Sequence, residues 1–540
     1  MIMIVGMRLL LSLLMLVITL VIAWGVVKVY VLFAYHFLPR VKRRLQDIFK
    51  IDPDETKKES LKIEELMKRK GSLVPTKTVQ ACLEEATRTD QVFLGMHQQK
   101  GKDVPFCIPE SSLSRHMHVM GSTGSGKTKF CLLPLGTQMI RRGKGVIFLT
   151  FKEDRELGHV LRKEAKSAGK RFYYFSLNPN DVSHTYNPVY SGSPGSFVER
   201  LMVALDLEME GSAKFYTHAQ RAALTPVFSF FAGNRIIATL RDLYDVFISE
   251  NYLSAIIKEE TGRKVDARER EYLRGAGYAL SRIVHEDIAE RFMSYVPDIR
   301  LSEIMARGDI LFCNLKTDAN PALAKSLGKM ILLDMQSCCG ERSEDSPICM
   351  VMIDEFQDLA CRAFLDLLTK LRASNLGFCL ANQNPSQLEE VSREFAQTVH
   401  TNTATKVVFR LKNAKDAKLF AEDSGETEFL QRDMSQKVGG ENGNVLDGVL
   451  EASGRVTHKA VNFLHPNRFL SLPEGEGVVF PPSGLPEILR YGYMVDREEE
   501  DYTKMLMDRD KLSFPHREQD PETIRGVEFF ERILKKEALE

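Results

Sequence analysis

Residues Gly121–Thr128 read GSTGSGKT, a full match to the pattern G-x-x-x-x-G-K-[ST] that cradles phosphates. The composition is what that chemistry needs. Glycines let successive backbone N–H groups turn inward around phosphate oxygens that side chains would block. Lys127 is placed to reach the β- and γ-phosphates, Thr128 brings a hydroxyl to Mg2+, and the following helix adds its positive end. The strand-like run His116–Met120 precedes the loop, and a helix-compatible stretch begins near Lys127. Strand, glycine loop and helix in that order separate this reading from a merely flexible Gly/Ser loop. Gly121, Ser122, Thr123, Gly124, Ser125, Gly126, Lys127 and Thr128 are therefore the candidate nucleotide-binding residues, with ATP and Mg2+ as the implied ligands.

A phosphate loop needs an acidic partner, and Ile348–Phe356 (ICMVMIDEF) supplies one. Six apolar residues form a buried strand, with Asp354 and Glu355 emerging at its C-terminal end, where open α/β sheets place ligands. Asp354 is assigned with Thr128 to the Mg2+ shell, and Glu355 to polarising the attacking water. A second carboxylate beside the metal ligand points to a hydrolase rather than a kinase. Gln383, in LANQN after the apolar Phe378–Ala381, sits where a strand beside the loop would end; its amide would sense the γ-phosphate or orient water, unless it is simply a polar loop residue.

Outward from these motifs, apolar runs at Gly145–Thr150, Phe172–Phe175, Ile310–Leu315 and Lys406–Leu411 alternate with helical stretches such as Glu156–Ser167, the pattern of a parallel α/β sheet. The SGSPG segment Ser191–Gly195 breaks that rhythm, and almost everything from Phe197 to about Pro297 carries helical periodicity. An inserted all-helical subdomain is expected there. Glycine-rich Gly439–Gly448 reads as a loop, and beyond Pro486 the chain turns polar, with DREEED at Asp496–Asp501.

Lys+Arg and Asp+Glu balance at 73 each, so any nucleic-acid surface must be local, as in the lining of a ring. Nine cysteines at irregular spacing include no C-x-x-C pair. That argues against a disulfide framework or a zinc site and for reduced, buried thiols. Leu9–Val27 is uncharged and apolar, and the apolar character resumes from Val29 to Leu38. At 1.5 Å per residue the whole stretch makes a helix of about 45 Å, enough for one tilted membrane span. Arg40, Lys42, Arg43 and Arg44 follow at once, which puts the long C-terminal part in the cytoplasm.

The order of these motifs resembles the TraD/TraG coupling proteins, the membrane ATPases of conjugation and type IV secretion. The resemblance rests on RHMHVMGSTGSGKT, on Tyr186-Asn187-Pro188, on LGKMILLDMQ (Leu327–Gln336), on VMIDEF, on LGFCLANQNPSQL and on the strand Asn402–Leu411. It implies a RecA-like P-loop NTPase with an all-helical inserted subdomain and an N-terminal transmembrane helix, assembled as a hexamer with its sites between subunits. It further implies a DNA–relaxase substrate, the DNA single-stranded, with channel components and the inner membrane as partners. Lys127, Thr128, Asp354, Glu355 and Gln383 keep the roles derived above. Arg372 is implied as an arginine finger reaching a neighbour's nucleotide, against the alternative of a helix-end cation paired with Asp366. The family's D-P-K-like segment is replaced here by Thr150-Phe151-Lys152-Glu153-Asp154, and one membrane span is readable where two are common.

The expected organisation is an anchor at 1–44, a charged neck and leading strands at 45–110, the first motor part at 111–190, the helical insert at 191–300, the second motor part at 301–490 and a charged tail at 491–540. The leading functional expectation is an ATP-driven coupling protein moving DNA. The alternatives are a coupling ATPase for protein effectors without DNA and a membrane scaffold with a vestigial nucleotide site.

Overall fold

The computed structural model describes residues 15, 19–29, 73–208, 214–317, 320–437, 451–495 and 512–537. The chain divides into two compact units, Met1–Arg69 and Lys70–Glu540. In the first, residues 19–29 are helical, and Leu20, Val21, Ile22, Trp24, Val26, Val27 and Val29 are all exposed. The rest of the expected span, and the charged neck to residue 69, lie outside the described residues. Among the described residues no helix is long and apolar enough to cross a membrane.

Among the described residues, the second unit is built on fifteen strands: β1 (Gln91–Gln99), β2 (Lys102–Pro109), β3 (Met117–Met120), β4 (Gly145–Thr150), β5 (Phe172–Ser176), β6 (Ile236–Ile237), β7 (Ile310–Asn314), β8 (Cys349–Asp354), β9 (Leu376–Asn382), β10 (Thr405–Val408), β11 (Glu426–Lys437), β12 (Glu451–Asn462), β13 (Glu476–Phe480), β14 (Glu487–Arg490) and β15 (Ile524–Arg525). Eleven join in one sheet in the order β2-β1-β14-β13-β10-β3-β9-β8-β4-β7-β5. From β10 to β5 all pairings are parallel, while β13, β14, β1 and β2 extend the sheet antiparallel. The leading strands expected within 45–110 are thus part of the main sheet itself.

The apolar runs are continuous because both faces of the parallel strands are covered. Ile147 and Leu149 enter one core with Tyr173, Phe175, Val351 and Ile353, whereas Val146 and Phe148 enter the opposite core with Tyr174, Phe312, Met350 and Met352. Period-two alternation survives within runs that look uniform in sequence.

Between β5 and β7 lie the helices Pro194–Ala204, Lys214–Gly233, Leu240–Ile248, Glu250–Thr261, Ala267–Val284 and Leu301–Arg307. Local signals start and stop them. Ser193 caps the first, with Pro194 in its opening turn; Thr239 and Asp242 form a capping box; left-handed Gly262 ends Glu250–Thr261. Leu224, Val227, Phe228 and Leu280 pack in the same core as one face of the sheet.

Two expectations change here. The region is not wholly helical, since β6 pairs in parallel with β15 of the tail. Nor is the segment expected as a charged tail at 491–540 only that. Tyr491 and Met494 are core residues on the sheet, and residues 512–537 dock on the helical region. Phe529 lies 5.4 Å from Phe230, Phe530 stacks 4.8 Å from Tyr252, and Phe514 lies 4.5 Å from His184. Arg517 grips both carboxylate oxygens of Glu303, at 2.9 and 3.3 Å, and the Asp298 carbonyl at 2.9 Å. Apolar side chains interspersed among the charges give the final helix a buried face, which a reading by charge alone overlooks. DREEED and Gly439–Gly448 lie outside the described residues. The long antiparallel pair β11–β12 flanking the latter was not expected from sequence.

Candidate functional site

The loop after β3 is held from both sides. Gly121 N–H donates to the Gln383 carbonyl at the end of β9 (3.2 Å), and Ser122 N–H to the Arg410 carbonyl after β10 (2.9 Å). Glycine is required inside this clamp. Gly126 has φ +96°, and an added Cβ would sit 2.2 Å from the ring of Phe130, itself buried. The Ser122 and Ser125 hydroxyls are buried without a hydrogen-bond partner, an arrangement that an oxyanion in the loop would satisfy. The chain then enters a π-helical turn, Thr128–Leu132, that runs into the helix Leu133–Arg141.

Strand order brings the acids to the loop. β9 separates β3 from β8, and Thr128 Oγ1 donates a 2.8 Å hydrogen bond to Asp354 Oδ2 across that gap. Two hard oxygen donors set side by side in this way suit Mg2+ held partly through water. Asp354 and Glu355 are 3% and 4% exposed. Consecutive strand residues point to opposite faces, yet both carboxylates are needed at one site. Glu355 resolves this by leaving the strand: its φ and ψ are +59° and +49°, a left-handed conformation that costs a non-glycine residue about 1–3 kcal/mol. The turn is held by the Glu355 N–H to Asp354 Oδ1 bond (3.1 Å), by Asp358 N–H to the Glu355 carbonyl (3.0 Å) and by buried Phe356, packed 4.7 Å from Phe364.

Lys127 donates to the Gly121 carbonyl at 2.7 Å. Burial pushes its ammonium down to about 8, with Lys152 acting in the same direction and Asp354 against them. Glu355 pairs with Lys152 and accepts from Gln357 Nε2. Asp154 caps the helix Arg155–Ser167 through the Leu157 N–H, at 2.8 Å. Its carboxyl is raised by burial and by the nearby Glu156 and Asp354 charges.

Lys127, Thr128, Asp354 and Glu355 therefore meet. Gln383 is the first residue after β9 and tethers the loop through its backbone carbonyl; its N–H donates to Gln387 Oε1 at 3.1 Å. Arg372 lies in the 3-10 turn Leu371–Ser374, and its side chain is outside what is described. Lys152 was named in the sequence without a role. The signal was available, because it follows a buried strand whose C-terminal end shares the site's edge of the sheet.

The other motif residues are structural. Buried Tyr186 donates to Asp334 of the LGKMILLDMQ helix at 2.8 Å, and Arg200 pairs with the same carboxylate at 2.9 Å. Asn187 ties to the Ala238 and Ser294 carbonyls at 2.9 and 3.0 Å. All nine cysteines are free thiols and six are buried, and burial raises them, Cys131 to about 12.

Residues 349–474 match the family model described as the TraM recognition site of TraD and TraG. The type 4 coupling protein DotL of Legionella pneumophila is 22% identical over 424 residues, 64% of this chain and 53% of DotL. The chain thus spans about half the length of the curated relative it matches. The plasmid coupling protein TrwB, solved with ADP and Mg2+ and with a non-hydrolysable ATP analogue, aligns with a TM-score of 0.57 at 18% identity, over 80% of this chain and 96% of TrwB in both. That likeness is one of fold: an α/β architecture with a mixed sheet and many helices. The resemblance to TraD/TraG coupling proteins carried by the sequence motifs is found again here.

Proposed function

We propose that the chain is the ATP-hydrolysing coupling protein of a conjugative or type IV secretion system, recruiting a DNA–relaxase complex and driving the DNA toward the membrane channel. The observation that carries the reading is the Thr128–Asp354 hydrogen bond, which brings loop hydroxyl and strand carboxylate together with Glu355 next in the chain and so supports a shared role in holding Mg2+. Bound Mg2+-ATP supplies the electrophilic phosphorus and the metal charge. The loop N–H groups and Lys127 bind phosphate oxygens. Glu355 takes a proton from the attacking water and releases it to solvent, and Gln383 orients that water. Arg372 reaches the nucleotide of the next subunit in a ring of six.

The apolar stretch Leu9–Leu38 anchors the protein in the inner membrane with the motor on the cytoplasmic side. Exposed apolar residues on the helical part, 19–29, support this. ATP hydrolysis by the purified chain, measured without DNA and with single-stranded or duplex DNA over a salt series, tests the reading. Stimulation by single strands that declines with salt is expected. Hydrolysis indifferent to DNA at every salt concentration removes DNA as cargo and leaves protein effectors. No hydrolysis in any oligomeric form overturns the motor.

A further inference from the structure

Lys152 stands two residues beyond β4, and β4 is the neighbour of β8, with Leu149 opposite Ile353. Its place is fixed from below. Thr150 is fully buried, and its Oγ1 accepts the Lys152 N–H at 3.1 Å, while Phe151 packs against the core. The ammonium pairs with Glu355, whereas neighbouring Glu153 is engaged by Arg155 at 2.8 Å and Lys316 at 3.5 Å. The two partners differ in freedom: the Lys152 side chain is 45% exposed and the Glu355 side chain 5%. Lys152 therefore reaches the carboxylate from the solvent side and has room to move, while Glu355 does not.

Lys152 is also near enough to Lys127 to weigh on it electrostatically. Two ammonium groups drawn together repel, and the arrangement becomes favourable when a polyanion lies between them. A surface ion pair by itself contributes little. The arrangement differs from one in that the buried member is the proposed general base.

We propose that Lys152 is a further binding residue of this site: its ammonium leaves Glu355 for the terminal phosphate of a bound triphosphate, and the exchange frees the carboxylate to act on water. The inference rests on the hydrolytic reading above and adds a residue that distinguishes triphosphate from diphosphate. The test is binding, not turnover. Affinities of the purified full chain for a fluorescent ADP and a fluorescent non-hydrolysable ATP analogue, both with Mg2+, are compared among wild type, Lys152→Gln and Lys152→Arg. Lys152→Gln is expected to weaken the ATP analogue about tenfold, the worth of one charge-assisted contact, while ADP binding, which reports an intact loop, stays within about twofold of wild type. Lys152→Arg keeps most of the analogue's affinity. Equal weakening of both nucleotides, or no change in either, overturns the proposal and leaves a structural ion pair. Failure is distinguishable from failure of the site itself, because wild type binding neither nucleotide refutes both.

Discussion

Replacing Phe530 by Ala tests whether the C-terminal segment is an integral part of the helical region. Phe530 is 5% exposed and stacks on Tyr252 with ring centroids 4.8 Å apart and planes inclined by 26°. Truncating a buried Phe costs about 3–5 kcal/mol. The low end applies, because Phe530 borders a cleft of about 380 Å³ shared with Tyr244, Ile248 and Tyr252, from which water can enter the space left behind. A loss of about 3 kcal/mol corresponds to roughly a hundredfold more frequent local opening.

Other contacts confine the effect. Arg517 keeps Glu303 and the Asp298 carbonyl, and Phe514 keeps His184. Hydrogen exchange by mass spectrometry should therefore show faster exchange in Gly526–Glu537 and at the β6–β15 pairing, with the central sheet unchanged. Phe530→Leu should recover most of the protection. Unchanged exchange in the final helix would falsify the argument, as would uniform acceleration across the whole chain.

Glu355→Gln is expected to lower hydrolysis by about 10²- to 10⁴-fold while the protein still binds Mg2+-nucleotide; steady-state turnover together with calorimetry checks both halves, and retained turnover removes Glu355 as the base. Gly126→Ala adds a methyl group against Phe130 at a backbone angle of +96° and should weaken nucleotide binding by at least about tenfold, since overpacking and backbone strain each cost about 1–3 kcal/mol; normal affinity by calorimetry contradicts the clamp. Arg200→Met leaves the buried Asp334 carboxylate without its cation, a loss of about 3–5 kcal/mol. Exchange in Pro194–Ala204 and Pro321–Cys338 should rise, and a companion Asp334→Leu should recover most of it; protection unchanged in the single variant sinks the assignment.

The core around the GSTGSGKT loop was legible because its signals are local. GSTGSGKT specifies its own backbone, since only glycine tolerates a Cβ position occupied by Phe130 and a left-handed φ. The runs GVIFLT and ICMVMID announce strands buried on both faces, and the break at Ser191–Gly195 announces the helices through Ser193 and Pro194. Asp354 was identifiable as the loop's partner although 226 residues separate it from Thr128, because parallel sheets collect such groups at one edge.

Tertiary structure decided what depends on which elements become neighbours. A charge run reads alike whether its apolar members are solvated or face Tyr252 and Phe230, so the apolar spacing of the final helix marks a buried face without saying what it docks on. The antiparallel extension through β13, β14, β1 and β2 joins segments nearly 400 residues apart, Met96 opposite Arg490, through pairings set by sheet edges rather than composition. The partnership of Lys152 with Glu355 follows from β4 lying beside β8, together with a left-handed turn at Glu355 that no residue-type preference announces. Sequence determines which groups stand at the ends of strands, because burial patterns are written residue by residue. Which ends share an edge is settled when the sheet assembles, because strand order is a property of the whole chain's packing.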